Sequence, residues 1–221
     1  MPQIVPLRGL IVQHHLIICD DRVDLIDGGF MGGIDRIQKA LRKHGKTLSD
    51  VRSILLTHGH LDHTLNVAKL KKLTKCRVYA PRADRDHVMG RHQYCGWAKV
   101  AGWLEKMGRF LLRFETPEID HWFEPGERIH GLEVIALPGH TAGHCGFLQS
   151  ETGLLFAGDL FTDHFGKPSP PPAILNDDSA MARASIRTAA GLDLEGVMLN
   201  HARKSEPSQT LLSLIDLADD L

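Results

Sequence analysis

A layered α/β domain is the fold class this sequence predicts. Two observations carry that expectation: short apolar runs alternate with segments of helical period, and 221 residues suit one well-buried domain better than two. In order, LIVQHHLIICDD and RVDLIDGG read as adjacent strands joined by a turn at Asp20 and Asp21. GIDRIQKALRKHG places Ile34, Ile37 and Leu41 at helical spacing and closes on Gly45, which predicts a glycine-terminated helix. VRSILLT is a buried strand, LNVAKLKKL a helix and CRVYAP a further strand.

Residues 83–116 differ from their surroundings. Trp97, Val100, Ala101, Leu104, Met107 and Leu111 recur every three or four residues, so a helical insertion is expected within a single domain spanning 1–221. Its apolar side is expected to pack on the sheet, and its ends to wall or cover a site. LEVIALPGH, GFLQS, GLLFAGD and GVMLNH are strand-like, and HFGKPSPPPAILN is a proline-rich loop. DDSAMARASIRTAAG is a helix opening on acids and ending at Gly191, and PSQTLLSLIDLADDL is a helix opening on Pro207.

The 26 basic and 27 acidic side chains nearly cancel, leaving no electrostatic footprint for nucleic acid or an anionic membrane. A small-molecule substrate is the expected partner; the oligomeric state is left open. Cys19, Cys76, Cys95 and Cys145 form no C-x-x-C pair and read as reduced thiols. The N-terminal stretch lacks a basic leader and a cleavage site, and no run reaches a membrane span, so a cytoplasmic protein is expected.

The chemistry is concentrated in LLTHGHLDHTLN. Four apolar runs, SILLTHGH, VIALPGH, LLFAGD and GVMLNH, each end in a possible metal ligand. Strands pointing the same way bring such ends to one sheet edge, where ligands are usually bound. The collected set is His58, His60, Asp62, His63, His140, Asp159 and His201, enough for two metal ions. His58 and His60, two apart in extended chain, can share one ion. Asp62 and His63 at a helix start can diverge toward a second. Asp159 can bridge, since a carboxylate offers two oxygens.

THGHLDH, PGHTAGH, AGDLF and LNH together resemble the metallo-β-lactamase superfamily, over most of the chain from LIDGG to His201. The resemblance implies an αββα sandwich of two mixed sheets flanked by helices. It assigns His58, His60 and His140 to one metal and Asp62, His63 and His201 to the other, with Asp159 bridging. It also matches Asp27 of LIDGG to a residue that orients a ligand histidine.

Two divalent ions sharing a water would make hydroxide available near neutral pH. The expected activity is therefore hydrolysis of a small-molecule ester, thioester or lactone by a metal-bridging hydroxide, with Asp62 and Asp159 as catalytic residues. Zinc is the first choice of metal, with iron and manganese compatible. No G-x-S-x-G elbow or glycine-rich phosphate loop competes.

Within the resembled family, lactamases often carry Cys where Asp159 stands. Glyoxalase II enzymes share Asp159, but the G-R-[ST]-D-F segment of their short forms is replaced here by GDLFTDHFGKPSPPP. A mononuclear iron sulfur dioxygenase is the rival from another chemical class, and a non-catalytic binding member the rival outside enzymes. Trp97, Trp103 and Phe165 are candidate pocket residues, with core packing the expected role of both tryptophans. His144 and His164 could lie near the ligands, whereas His87, His92 and Cys95 match no common zinc spacing.

Overall fold

The computed structural model describes residues 2–9, 11–96, 98–163, 167–202 and 206–221. The chain forms two compact units. The first comprises Met1–Ala80, Arg85–His92 and Glu105–Phe123; the second comprises Pro81–Asp84, Gln93–Leu104 and Glu124–Leu221.

The first unit is built on a six-stranded sheet in the order β1 (Gln3–Arg8), β2 (Gln13–Ile18), β3 (Val23–Ile26), β4 (Val51–Leu55), β5 (Arg77–Pro81) and β6 (His121–Phe123). β1, β2 and β3 run antiparallel in sequence, whereas β4 lies parallel to both β3 and β5. β4, between β3 and β5, buries Val51, Ser53, Ile54 and Leu55 and leaves Arg52 exposed. α1 (Gly33–Lys43) buries Ile37, Ala40 and Leu41 and ends with Arg42 and Lys43, which suit the negative end of the helix dipole. α2 (Leu61–Thr64) and α3 (Val67–Thr74) follow β4, and α4 (Arg85–Val88) follows β5. Leu16, Leu25, Ile37, Leu41, Ile54 and Val78 form the centre of the core.

β2 also buries His14 and His15 completely, and burial pushes both imidazoles down from 6.5 to about 3. The unfolded chain therefore binds more protons than the folded one between these values. Their stabilising contribution is full above pH 6.5 and is lost as the pH falls toward 3. Metal-free protein is expected to lose roughly 1 kcal/mol per histidine by pH 5.5. Urea midpoints between pH 7.5 and 5 measure this. His15→Leu should flatten the slope, and a slope unchanged by that substitution would contradict the assignment.

The second unit carries a five-stranded sheet in the order β11 (Gly196–Leu199), β10 (Leu154–Gly158), β9 (Cys145–Gln149), β8 (Leu132–Ala136) and β7 (Arg128–Ile129). β9 is antiparallel to both β8 and β10, and β11 is parallel to β10, so β8, β10 and β11 point the same way. Their C-terminal ends share one edge. α6 (Ser179–Ala190) and α7 (Pro207–Asp219) cover this sheet, packing Ile186, Ala189, Leu214 and Leu217 with Leu155, Val197 and Leu199. α6 starts at Asp178, whose Oδ1 accepts from the amides of Ala180 and Met181, both at 2.9 Å.

The expected insertion is helical, with α5 spanning Ala98–Leu111. Its expected packing is not observed. Val100, Trp103, Leu104, Phe110 and Leu111 are 52–77% exposed, and Ala98 is the only buried side chain described on the helix. The periodicity marks an apolar stripe correctly, yet the stripe faces solvent. Trp97, His164 and Phe165 lie outside the described residues. All four cysteines are free thiols, and no helix among the described residues is long and apolar enough to cross a membrane.

Candidate metal centre

In the first unit, β4 delivers the chain to Thr57 and then to His58, Gly59 and His60, with α2 starting at Leu61. The His58 and His60 ring centroids are 4.8 Å apart, and those of His58 and His63 are 4.1 Å apart. His63 Nε2 is 3.6 Å from Asp62 Oδ2. All four proposed ligands of this unit therefore belong to one short turn at the end of β4.

Asp27, at the end of β3, holds that turn. It accepts from the Thr57 amide at 2.8 Å and from Thr57 Oγ1 at 2.9 Å, and it contacts His63 Nδ1 at 3.0 Å. Asp27 makes these contacts from the left-handed conformation, at φ 65°. Thr57 Oγ1 is also 3.0 Å from His58 Nδ1. With Nδ1 of both rings engaged, Nε2 is the nitrogen each offers to a metal. Asn66 secures the turn after Asp27 by donating to the carbonyls of Gly28, Gly29 and Phe30.

In the second unit, His140 follows β8, Asp159 follows β10 directly and His201 follows β11. Because these strands share a direction, the three side chains meet: Asp159 Oδ2 lies 3.5 Å from His140 Nε2 and 3.1 Å from His201 Nε2. The β10–β11 pairing shifts register between Phe156 and Gly158, and its last pair, Gly158 with Leu199, immediately precedes Asp159. His140 Nδ1 is 3.0 Å from Asn176 Oδ1, which makes Nδ1 the donor and leaves Nε2 for a cation.

His144 takes the supporting role left open by its spacing. Its Nδ1 donates to the Leu137 carbonyl at 2.7 Å, and its Nε2 accepts the Asp159 amide at 3.0 Å. Buried Asp84 accepts from Thr141 Oγ1 at 2.7 Å and from the Gly143 amide at 2.6 Å, holding the loop between His140 and His144. Asn176 and Asp84 were not anticipated. Each lies tens of residues from the ligands it supports, so no local spacing marks it.

His58, His63, His140 and Asp159 are all at most 5% exposed, while His60, Asp62 and His201 are half-buried. Burying a carboxylate among imidazoles is costly unless charge and hydrogen bonds compensate. Nitrogen and oxygen donors with Nε2 presented by rings fixed at Nδ1 fit divalent zinc, iron or manganese. His87 and His92 stack at 3.6 Å between centroids and 16°, a parallel arrangement of rings in the first unit.

Residues 10–201 match the family model of the metallo-beta-lactamase superfamily. The chain is 29% identical over 199 residues to hydroxyacylglutathione hydrolase GloC of Haemophilus influenzae, covering 84% of this chain and 82% of that protein. It is 24% identical over 225 residues to the probable metallo-hydrolase YflN of Bacillus subtilis, covering 89% and 81%. A hydroxyacylglutathione hydrolase of Ectopseudomonas mendocina is 35% identical over 133 residues, but the match spans 58% of this chain and only 39% of that longer protein. Among solved structures, TTHA1623 in a di-iron-bound form superposes with a TM-score of 0.71 at 25% identity, covering 100% of both chains. The layered α/β fold of two mixed sheets flanked by helices is shared with these structures.

Proposed function

Because the chain belongs to the metallo-β-lactamase superfamily and is one of its metal-dependent hydrolases, we propose that it cleaves a small-molecule thioester with a pair of divalent ions, its two units acting as one catalytic domain. His58, His60 and His140 hold one ion in this reading; Asp62, His63 and His201 hold the other; Asp159 touches both. Ions bound there would supply Lewis acidity, lowering the pKa of a water toward about 7 and polarising the acyl oxygen.

One observation carries the reading. Asp159 Oδ2 stands between His140 Nε2 at 3.5 Å and His201 Nε2 at 3.1 Å, imidazoles assigned to different ions. A bridging carboxylate requires that placement. Asp27, through His63, and Asn176, through His140, set the direction in which each ring presents Nε2. Asp62, half-buried beside His63, orients the attacking water and accepts its proton.

The relatives named as hydroxyacylglutathione hydrolases favour a hydroxyacyl thioester over an ester or lactone. They do so although the chain lacks the G-R-[ST]-D-F segment of short glyoxalase II forms. Zinc is the first metal expected, and the similarity to a protein solved with two irons favours iron as the second.

The test joins elemental analysis of protein purified without chelators to thiol release from a hydroxyacylglutathione. Close to two metal equivalents per chain, with thiol released in the absence of oxygen, supports the reading. One iron equivalent, with oxygen consumed and no anaerobic hydrolysis, overturns it in favour of sulfur oxidation.

A further inference from the structure

α5 joins the metal-ligand turn of the first unit through its last residues. Arg109, with a side chain 12% exposed, donates from Nη2 to the Gly59 carbonyl at 3.1 Å and to the His87 carbonyl at 3.0 Å. Glu105, one turn earlier and 14% exposed, accepts from Arg109 Nε at 3.1 Å and from Nη2 at 2.6 Å. The guanidinium carbon lies 4.2 Å from the centroid of the Phe114 ring. A carboxylate and an aromatic face thus fix this cation in one orientation.

Gly59 separates two proposed ligands, His58 and His60. A planar peptide makes its carbonyl and the His60 amide one rigid group, so gripping the oxygen sets where the His60 backbone starts. The turn is also pressed onto α4: a Cβ at Gly59 would meet His87 Cβ and the Val88 amide nitrogen, each at 2.5 Å. On the other side of His60, Leu61 packs on α5, where a Cβ at Gly108 would come within 2.9 Å of Leu61 Cδ2. Gly108 and Arg109 therefore contact the residues on both sides of His60. The same guanidinium holds the carbonyl of His87, whose ring meets His60 edge to face at 5.4 Å between centroids.

We propose that Arg109, locked by Glu105, is a positioning residue for the metal centre: by holding the Gly59–His60 peptide it presets His60 as a ligand. The inference rests on His58 and His60 binding metal. It gives the helical insertion a task that its exposed apolar stripe does not reveal. Lysine cannot reproduce the whole arrangement, since an ammonium has no planar face against Phe114 and no second nitrogen to pair with Glu105.

The experiment titrates metal-free wild type, Arg109→Met, Arg109→Lys and Glu105→Gln with zinc against a chromophoric chelator, and records visible spectra with cobalt. Lys106→Met, an exposed neighbour on the same helix, is the control. Zinc affinity should fall ten- to a hundredfold in Arg109→Met, the usual range for groups that orient metal ligands. Arg109→Lys should recover only part of the loss, with a changed cobalt spectrum in both. Glu105→Gln, which keeps an accepting oxygen, should lose less, and Lys106→Met should match wild type. Thermal midpoints of the metal-free proteins separate this from general stability.

Wild-type zinc affinity and cobalt spectrum in Arg109→Met overturn the inference, whatever its thermal midpoint. Should that variant fail to fold, the same result in Arg109→Lys overturns it. Wild-type protein that binds neither zinc nor cobalt would instead defeat the metal-centre reading on which the inference rests.

Discussion

Asp159→Ala is expected to slow thioester hydrolysis by about a thousandfold or more and to reduce bound metal from two equivalents to one or none. A pair of ions contributes several kcal/mol to transition-state stabilisation, which corresponds to that factor. The fold should survive, because the side chain is lost while the Asp159 amide still donates to His144 Nε2. Asp159→Asn separates charge from shape: it keeps one accepting oxygen but loses the negative charge that would balance two cations. It should retain more metal than Asp159→Ala while remaining severely impaired. Elemental analysis and thiol release measure both effects, and an alanine variant with two tightly held equivalents would refute the bridging role.

Asp27→Ala should damage both stability and metal binding. The Asp27 carboxylate satisfies the Thr57 amide, Thr57 Oγ1 and the His63 ring, all in a fully buried setting. Leaving buried donors unmatched costs about 1–3 kcal/mol each, so roughly 3–9 kcal/mol is at stake. That is a large part of a typical domain's 5–15 kcal/mol. Alanine also fits poorly at φ 65°, whereas asparagine tolerates it. Asp27→Asn should therefore fold better than Asp27→Ala and still bind metal more weakly than wild type. Denaturant unfolding of the metal-free proteins, followed by zinc titration, tests the pair. A loss below about 1 kcal/mol in Asp27→Ala would contradict this account.

The proposed metal ligands stand out in the sequence because His58, His140, Asp159 and His201 each follow the C-terminal end of a strand, β4, β8, β10 and β11 in turn. His140, Asp159 and His201 reach one edge because β8, β10 and β11 share a direction, as the ends of their apolar runs implied. β1 was not recognised: QIVPLR mixes a proline and an arginine into a strand at the sheet's edge, where patterning is weak. β6 and β7, with three and two residues, are too short to show alternation. The stripe on α5 has a clear period, but period alone does not say whether a stripe meets protein or solvent. Asn176, Asp84 and Arg109 act through contacts distant in sequence, which the fold creates and local spacing does not encode.

The two sets of proposed ligands also differ in when folding can assemble them. His58, His60, Asp62 and His63 occupy one turn at the end of β4, so closing a short loop is enough to bring them together. His140, Asp159 and His201 meet only after β8, β9, β10 and β11 have paired in order across the sheet. Contacts that distant form late, because the entropy of closing long loops opposes them. In the proposed site, the local turn is therefore available to a divalent ion early in refolding, and the edge that carries Asp159 only once the second sheet is complete.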